Sequence, residues 1–344
     1  MGRKSGPPAR HGDTAVTGES AFGDAPPGGG GSQRPPTAAA ARVCYLVGSM
    51  RACLAALVQM RAVPDPAAST ALAVALTEQA LAAGADLVVL PENFGGIGHA
   101  PGHYAWAFEA SNPHGSPALA PLFDLSTKHH AWIVAGGTPE RVPDDPQRTY
   151  NTSLLLRRGR LVASYRKIHL FDADLPDARL REAEHTAAGN TPVIVHTEYG
   201  ALGLSVCYDL RFPELFRALG AAGAELVVVP SAFTLQTGLA HWEPLLRARA
   251  IENQAWVLAA AQWGLHAAGR HSHGHSMIVD PWGTIVAQAS EGDGIVLARL
   301  DPAVMEHART RLPGVRPHLL AGSPFGPVRV VEMDAPAAGP EVGR

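Results

Sequence analysis

The sequence predicts an α/β protein made of two related halves that each carry a βαβ unit. Three observations lead there. Apolar runs of strand length alternate with helical stretches that end at glycine or proline. The phrase Ala82-Ala83-Gly84-Ala85-Asp86-Leu87-Val88-Val89-Leu90-Pro91-Glu92 returns, nearly letter for letter, as Ala221-Ala222-Gly223-Ala224-Glu225-Leu226-Val227-Val228-Val229-Pro230-Ser231. The chain has 344 residues, 46% hydrophobic and 17% charged, enough for a full core.

Residues 1–43 hold nine glycines and six prolines and almost no large apolar side chains. They cannot bury the surface that would offset the entropy of ordering, so residues 1–49 are read as a disordered extension. Met50 opens the first structured segment and is a candidate translation start. Leu54–Met60 reads as a buried strand. Pro66–Ala83 reads as a helix stopped by Gly84, and Asp86–Pro91 as a second buried strand. Strand, helix, strand in this spacing favours a right-handed parallel crossover. Trp132–Gly137, Thr152–Leu156 and Leu161–Tyr165 read as further strands. The second half repeats the grammar with strand Leu202–Val206, helix Pro213–Leu219 and the strand of the repeated phrase. Helix His241–Glu252 follows, then strands Trp256–Ala261, Ser276–Val279, Thr284–Ala287 and Gly294–Leu300, and a last helix over Pro302–Thr310. Residues 50–322 are read as one domain, and residues 323–344, rich in Pro, Gly and Ala, as a loose tail.

The formal charge of -3 gives no electrostatic reason to expect nucleic acid or a membrane surface as a partner. No apolar run reaches the ~20 residues needed to span a bilayer, and the start lacks the apolar middle of a signal peptide. Three cysteines, Cys44, Cys53 and Cys207, are too few and odd in number for a disulfide framework. The expected location is the cytoplasm.

Reactive side chains in open α/β sheets gather at the carboxyl ends of strands. Glu92, Lys167 and Cys207 each end or closely follow an apolar strand. Cys207 could be a small buried hydrophobe, but a helix opens soon after it at Pro213, and its positive end would help to hold a thiolate. Glu92 is either a surface cap or a buried acid with a raised pKa, fit to act as a base. Lys167 is either solvated or a fixed charge for a developing oxyanion. Glu182 and Glu184 compete as a further pocket acid. The tract Arg270-His271-Ser272-His273-Gly274-His275 lacks a zinc spacing and a nearby Cys or carboxylate ligand, so no metal is expected. Gly95-Gly96-Ile97-Gly98 lacks the lysine and helix of a phosphate loop, so no cofactor is expected.

From about Arg51 to His318 the chain resembles the nitrilase superfamily. The likeness rests on Leu90-Pro91-Glu92-Asn93, on Tyr165-Arg166-Lys167-Ile168-His169-Leu170-Phe171-Asp172, and on the stretch from Gly203 through Cys207-Tyr208-Asp209-Leu210-Arg211-Phe212-Pro213 to Leu215. Pro230-Ser231-Ala232-Phe233-Thr234, His241-Trp242-Glu243 and Gly274–Gly283 are similar to the Nit branch, which includes deaminated glutathione amidase and the omega-amidases. The resemblance implies a four-layer α-β-β-α sandwich that pairs into a homodimer. It implies a catalytic triad at Glu92, Lys167 and Cys207, with Glu182 as the added acid and the Tyr208 backbone N–H as an oxyanion donor. Phe94, Phe233, Thr234 and Trp242 become pocket walls by analogy. The implied reaction is hydrolysis of the terminal amide of a small carboxylate-bearing compound through a cysteine thioester, with release of ammonia. Nitrile or N-carbamoyl amide hydrolysis is the alternative on the same fold. A papain-like Cys–His site and a vestigial scaffold fit less well, given the βαβ grammar and the complete triad. Three departures stand out: residues 1–49 have no family counterpart, Pro244 points to a late start of its helix, and only Arg316 and His318 stand where a basic C-terminal segment is expected.

Overall fold

The computed structural model describes residues 50–97, 106–174, 179–267, 269–313 and 327–332. The chain divides into two units, Met1–Leu46 and Val47–Arg344, and the described residues all fall in the second. Residues 1–49, Arg316 and His318 lie outside the described residues, as do the readings made on them.

The first half runs β1 (Cys53–Gln59), α1 (Pro66–Ala82), β2 (Leu87–Val89), α2 (Ala120–His129), β3 (Trp132–Val142), β4 (Asp145–Arg157) and β5 (Arg160–Arg166). Asp65 caps α1, its side chain accepting from the N–H groups of Ala67 and Ala68 at 2.9 and 3.2 Å. Pro66 supplies the first turn, where a missing N–H costs nothing. The second half runs β6 (Val193–Thr197), β7 (Gly200–Leu204), α3 (Pro213–Ala221), β8 (Leu226–Val228), α4 (Leu235–Asn253), β9 (Trp256–Ala259), β10 (Met277–Val279), β11 (Ile285–Gln288), β12 (Gly294–Leu300), α5 (Pro302–Arg311) and β13 (Arg329–Val331).

One sheet has the order β12-β1-β2-β3-β4-β5 and the other β11-β10-β9-β8-β7-β6-β13. Strand alternation sorts the first sheet's side chains into two clusters. Ala56, Val58, Val88, Ile133 and Ala135 pack with Leu76, Leu81, Leu122 and Phe123 of α1 and α2. Leu57, Val89 and Val134 pack instead with Leu202, Leu204, Val228 and Leu258 of the second sheet, in a cluster that takes in Phe216, Leu219, Trp242 and Leu246 of α3 and α4. The layer order is therefore helix, sheet, sheet, helix. Each fully buried Leu or Val in it contributes about 1.5–3 kcal/mol.

The repeated phrase is a structural repeat. β1, β2 and β3 are parallel neighbours, as are β7, β8 and β9. Gly84 and Gly223 end the two helices at φ +87° and +97°. The carboxylate of Asp86 accepts from Leu54 N–H at 2.8 Å, and that of Glu225 accepts from Ala201 N–H at 2.9 Å.

Two expectations are corrected. Helix α4 starts at Leu235, well before His241, and runs through Pro244. Thr234 caps it by accepting from Thr237 N–H at 3.3 Å, and burial of Trp242, Leu246 and Ala250 holds it across the proline. The tail is not wholly loose: Arg329–Val331 adds a parallel strand beside β6.

Candidate active site

The carboxyl ends of β2, β5 and β7 bring Glu92, Lys167 and Cys207 together. Glu92 follows β2 by way of Leu90 and Pro91 and is 3% exposed. Asn93 turns the chain at φ +59° and donates its N–H to Gly137 at 2.7 Å. Lys167 directly follows β5, donates its N–H to the Asn151 carbonyl at 2.8 Å and is 2% exposed. Cys207 stands just past β7 at φ +48°, a left-handed conformation that costs a non-glycine residue about 1–3 kcal/mol.

The surroundings hold that strain. Cys207 N–H donates to Pro230 O at 2.8 Å. Asp209, fully buried, accepts from Val206 N–H at 2.9 Å, Tyr165 O–H at 2.7 Å and His169 N–H at 3.0 Å. One carboxylate thus ties the cysteine turn to the segment that carries Lys167.

Lys167 Nζ donates to Glu92 Oε1 at 3.0 Å and to both Glu182 oxygens at 3.0 and 2.8 Å. Glu182 also accepts from Phe171 N–H at 2.6 Å. Glu184 is not drawn in; its carboxylate is exposed and 3.9 Å from His185. Asn151 donates to Glu92 Oε1 at 2.8 Å, and Ala232 N–H donates to Glu92 Oε2 at 3.0 Å. The Cys207 thiol hydrogen-bonds the same carboxylate.

These contacts set the protonation states. Burial pushes the Glu92 carboxyl up, but the Lys167 ammonium and the hydrogen bonds from Cys207, Lys167 and Asn151 outweigh it, so Glu92 lies below the usual carboxylate value. This corrects the expectation of a raised acid. Burial opposes a charged Lys167, yet Glu182, Glu92 and Cys207 hold it well above its ordinary value. Burial and then the Glu92 charge push the Cys207 thiol up, against the opposing pull of Lys167. The expected thiolate support from a helix end does not prevail. The resting site is a carboxylate, an ammonium and a neutral thiol.

A cavity of about 250 Å³ opens on this cluster. Its walls include Ile97, Tyr150, Phe171, Leu180, Arg181, His185 and Arg270. The four walls assigned by analogy do not line it. Phe94 is fully buried in the α1–α2 cluster. Phe233 packs on Trp242 with ring centroids 4.9 Å apart, Trp242 donates its Nε1–H to His275 O at 2.8 Å, and Thr234 is spent on the helix cap. What that loop presents to the cavity is Ala232.

Asn151 is the residue that sequence reasoning missed. A polar side chain inside a strand is a weak signal, but Gly136-Gly137 in the facing strand marks a close approach. A Cβ on Gly137 would sit 2.1 Å from Asn151 Oδ1 and 3.1 Å from Glu92 Cγ. The histidine tract forms part of the hairpin Trp263–Ala267/Arg270–His273. Among the described residues no group of His, Cys, Asp or Glu is placed to hold a metal ion, and no helix is long and apolar enough to cross a membrane.

Comparison with known proteins agrees with this geometry. Residues 54–310 match the sequence model of the family described as Carbon-nitrogen hydrolase. Deaminated glutathione amidase of Mus musculus is 44% identical over 265 residues, covering 76% of this chain and 81% of that protein. The crystal structure of Saccharomyces cerevisiae Nit3, a member of branch 10 of the nitrilase superfamily, is 34% identical with a TM-score of 0.66, covering 76% of this chain and 95% of the yeast chain. A glutamate-to-glutamine mutant of the amidase from Nesterenkonia sp. AN1, solved after Michael addition of acrylamide at its active-site cysteine, is 28% identical with a TM-score of 0.62, covering 76% of this chain and 98% of that one.

Proposed function

The chain belongs to the carbon–nitrogen hydrolase family, and from that premise we propose that it is an amidase in which Cys207 is the nucleophile, Glu92 the proton carrier and Lys167 the fixed charge of the oxyanion site. The observation that carries this reading is the Lys167 ammonium 3.0 Å from a Glu92 carboxylate that also holds the Cys207 thiol.

With glutamate ionised and thiol neutral, the proton leaves sulfur only as sulfur attacks. Glu92 takes it while the C–S bond forms. The amide oxygen, now an oxyanion, is met by the Lys167 ammonium and by the Tyr208 N–H that follows the cysteine; one such donor is worth about 3–4 kcal/mol of barrier. Glu92 passes the proton to the departing amine and the C–N bond breaks. Water then attacks the thioester with Glu92 again as base, and the thiol is restored. Glu182 keeps Lys167 charged and oriented from the other side.

The proposed substrate class is an amide bearing a carboxylate, deaminated glutathione or an omega-amide such as alpha-ketoglutaramate. The two differ in leaving group. A primary amide releases ammonia. Glutathione without its amino group has only secondary amides, so its hydrolysis releases an amine. Nitrile and N-carbamoyl amide hydrolysis remain the alternatives for the same triad.

We place the hydrolase domain at residues 50–322 and the protein in the cytoplasm, in keeping with buried free thiols at Cys53 and Cys207. We further propose a homodimer, for which Leu235, Leu239 and Ile251 of α4 and nearby Trp282 supply exposed apolar side chains.

The test is a panel of deaminated glutathione, alpha-ketoglutaramate, a nitrile and an N-carbamoyl amino acid, with both ammonia and amine release measured. Turnover of one of the first two, abolished in Cys207→Ala, is the expected result. A Cys207→Ala protein that works at the native rate would end the proposal.

A further inference from the structure

We propose that Arg270 receives a carboxylate of the substrate and so selects acidic amides over neutral ones; this rests on the amidase reading given above. Arg270 lies on the hairpin Trp263–Ala267/Arg270–His273, which is fixed to the catalytic loops. Trp263 N–H donates to Met60 O at 3.1 Å, and His273 N–H donates to Phe233 O at 2.9 Å. His266 Nδ1 contacts Ala62 O at 2.7 Å. Just before the hairpin, Gln262 donates its side-chain amide to the Glu92 carbonyl at 3.0 Å. The hairpin therefore cannot shift without disturbing Glu92.

Strand alternation aims the arginine. Ser272 is 2% exposed and bridges to Thr234, while His271 between them is exposed. Arg270 shares the inward side with Ser272 and lines the cavity together with Cys207.

Charge pairing decides what it can bind. Lys167 is shared by Glu92 and Glu182. Arg181 is paired to Asp174 at 2.6 Å, and His185 stands 3.9 Å from Glu184. Arg270 has no carboxylate partner among the described residues. The floor of the cavity, two carboxylates against one ammonium, is net negative and repels a substrate carboxylate. A partly buried guanidinium facing the same cavity, with its planar fork of N–H donors unspent, is the complementary place for it.

The experiment compares wild type, Arg270→Gln and Arg270→Lys on deaminated glutathione, alongside the rate of acrylamide addition to Cys207 as a neutral probe of the same cavity. Losing one charge-assisted pair to the substrate is expected to raise KM roughly ten- to a hundredfold with kcat little changed. Lysine is expected to keep part of the affinity, as a charge without the fork. Acrylamide addition and the melting temperature are expected to show no comparable loss, because among the described residues the Arg270 side chain makes no hydrogen bond or ion pair to another element. An unchanged KM in Arg270→Gln, or an equal fall in acrylamide addition, would overturn the inference. A wild-type protein that takes acrylamide but hydrolyses no carboxylate-bearing amide would instead refute the substrate reading of the previous subsection.

Discussion

Glu92→Gln is expected to separate the two things Glu92 does. The carboxylate accepts from Asn151 and Lys167 on Oε1 and from Ala232 N–H on Oε2, with the Cys207 thiol as a further donor. Glutamine has one oxygen for these donors. Its least costly pose keeps the oxygen toward Asn151 and Lys167 and turns the NH₂ toward Ala232 N–H, leaving a buried donor unsatisfied at about 1–3 kcal/mol. Lys167 still has Glu182, so the fold should survive. Hydrolysis loses its base and should fall roughly 10²–10⁴-fold. The thiol behaves differently. Burial still pushes its pKa up, but the Glu92 charge and hydrogen bond that push it further in the same direction are gone, while Lys167 continues to lower it. Cys207 in the variant should therefore still add acrylamide, at a rate that climbs with pH as the thiol ionises. The wild-type rate should lack that climb, because Glu92 removes the proton during attack. Intact-mass measurement of the adduct over a pH series, beside amide turnover at neutral pH, reads both. Hydrolysis within tenfold of wild type, or a variant alkylation rate that ignores pH, would refute the reasoning.

Two further outcomes follow from the same contacts. Lys167→Met should abolish turnover and destabilise by about 3–5 kcal/mol at neutral pH, because it leaves the buried Glu92 carboxylate and the partly buried Glu182 carboxylate without their cation. That penalty should shrink as pH falls and Glu92, buried without the ammonium that lowers its pKa, takes a proton, which urea unfolding at neutral and acid pH can check. In the wild type, the depressed Glu92 value means its stabilisation is present above 4.5 and is lost as pH falls through the lower folded value. The acid limb of kcat/KM should therefore lie below 4.5, and a limb near neutrality would contradict a paired Glu92.

Much of this architecture was readable in the text of the chain, and the exceptions share a cause. Strands such as Leu54–Met60 and the repeated phrase carry their own signal, because apolar runs and glycine stops are local. Helix α2 was missed: its N-cap position, Leu119, offers no side-chain hydrogen bond, so no start signal marks it. Glu92, Lys167 and Cys207 were legible as strand-end polar residues and through family likeness. The sign of the Glu92 shift was not, since it depends on an ammonium 75 residues away. Composition left Glu182 and Glu184 equal and only family likeness favoured Glu182; the backbone turn points Glu182 at Lys167 and Glu184 at solvent. The wall residues failed for a related reason. Phe233 and Trp242 were chosen by motif, but their rings satisfy each other inside the core.

The repeat also explains where the site had to form. Pro91-Glu92 and Pro230-Ser231-Ala232 are the same strand end in the two halves, and Glu92 Oε2 accepts from Ala232 N–H across the seam. Gly136 fills that seam. A Cβ there would lie 2.3 Å from Leu90 O, 2.6 Å from Pro230 Cβ and 2.8 Å from Pro91 O. Leu90 N–H is bonded to Val134 O at 2.9 Å, and Pro230 O accepts Cys207 N–H, so neither side can yield without moving Glu92 or Cys207. Gly136→Ala should cost about 1–3 kcal/mol of stability through overpacking. It should also lower kcat by roughly a hundredfold, the usual toll of a displacement near 1 Å. Gly223→Ala is the control. Its site at φ +97° strains any side chain, but nothing lies within 4 Å of the added Cβ. It should lose about 1 kcal/mol with kcat intact. If kcat instead tracks stability equally in both variants, the seam does not position the site, and the active geometry owes nothing to the meeting of the two halves.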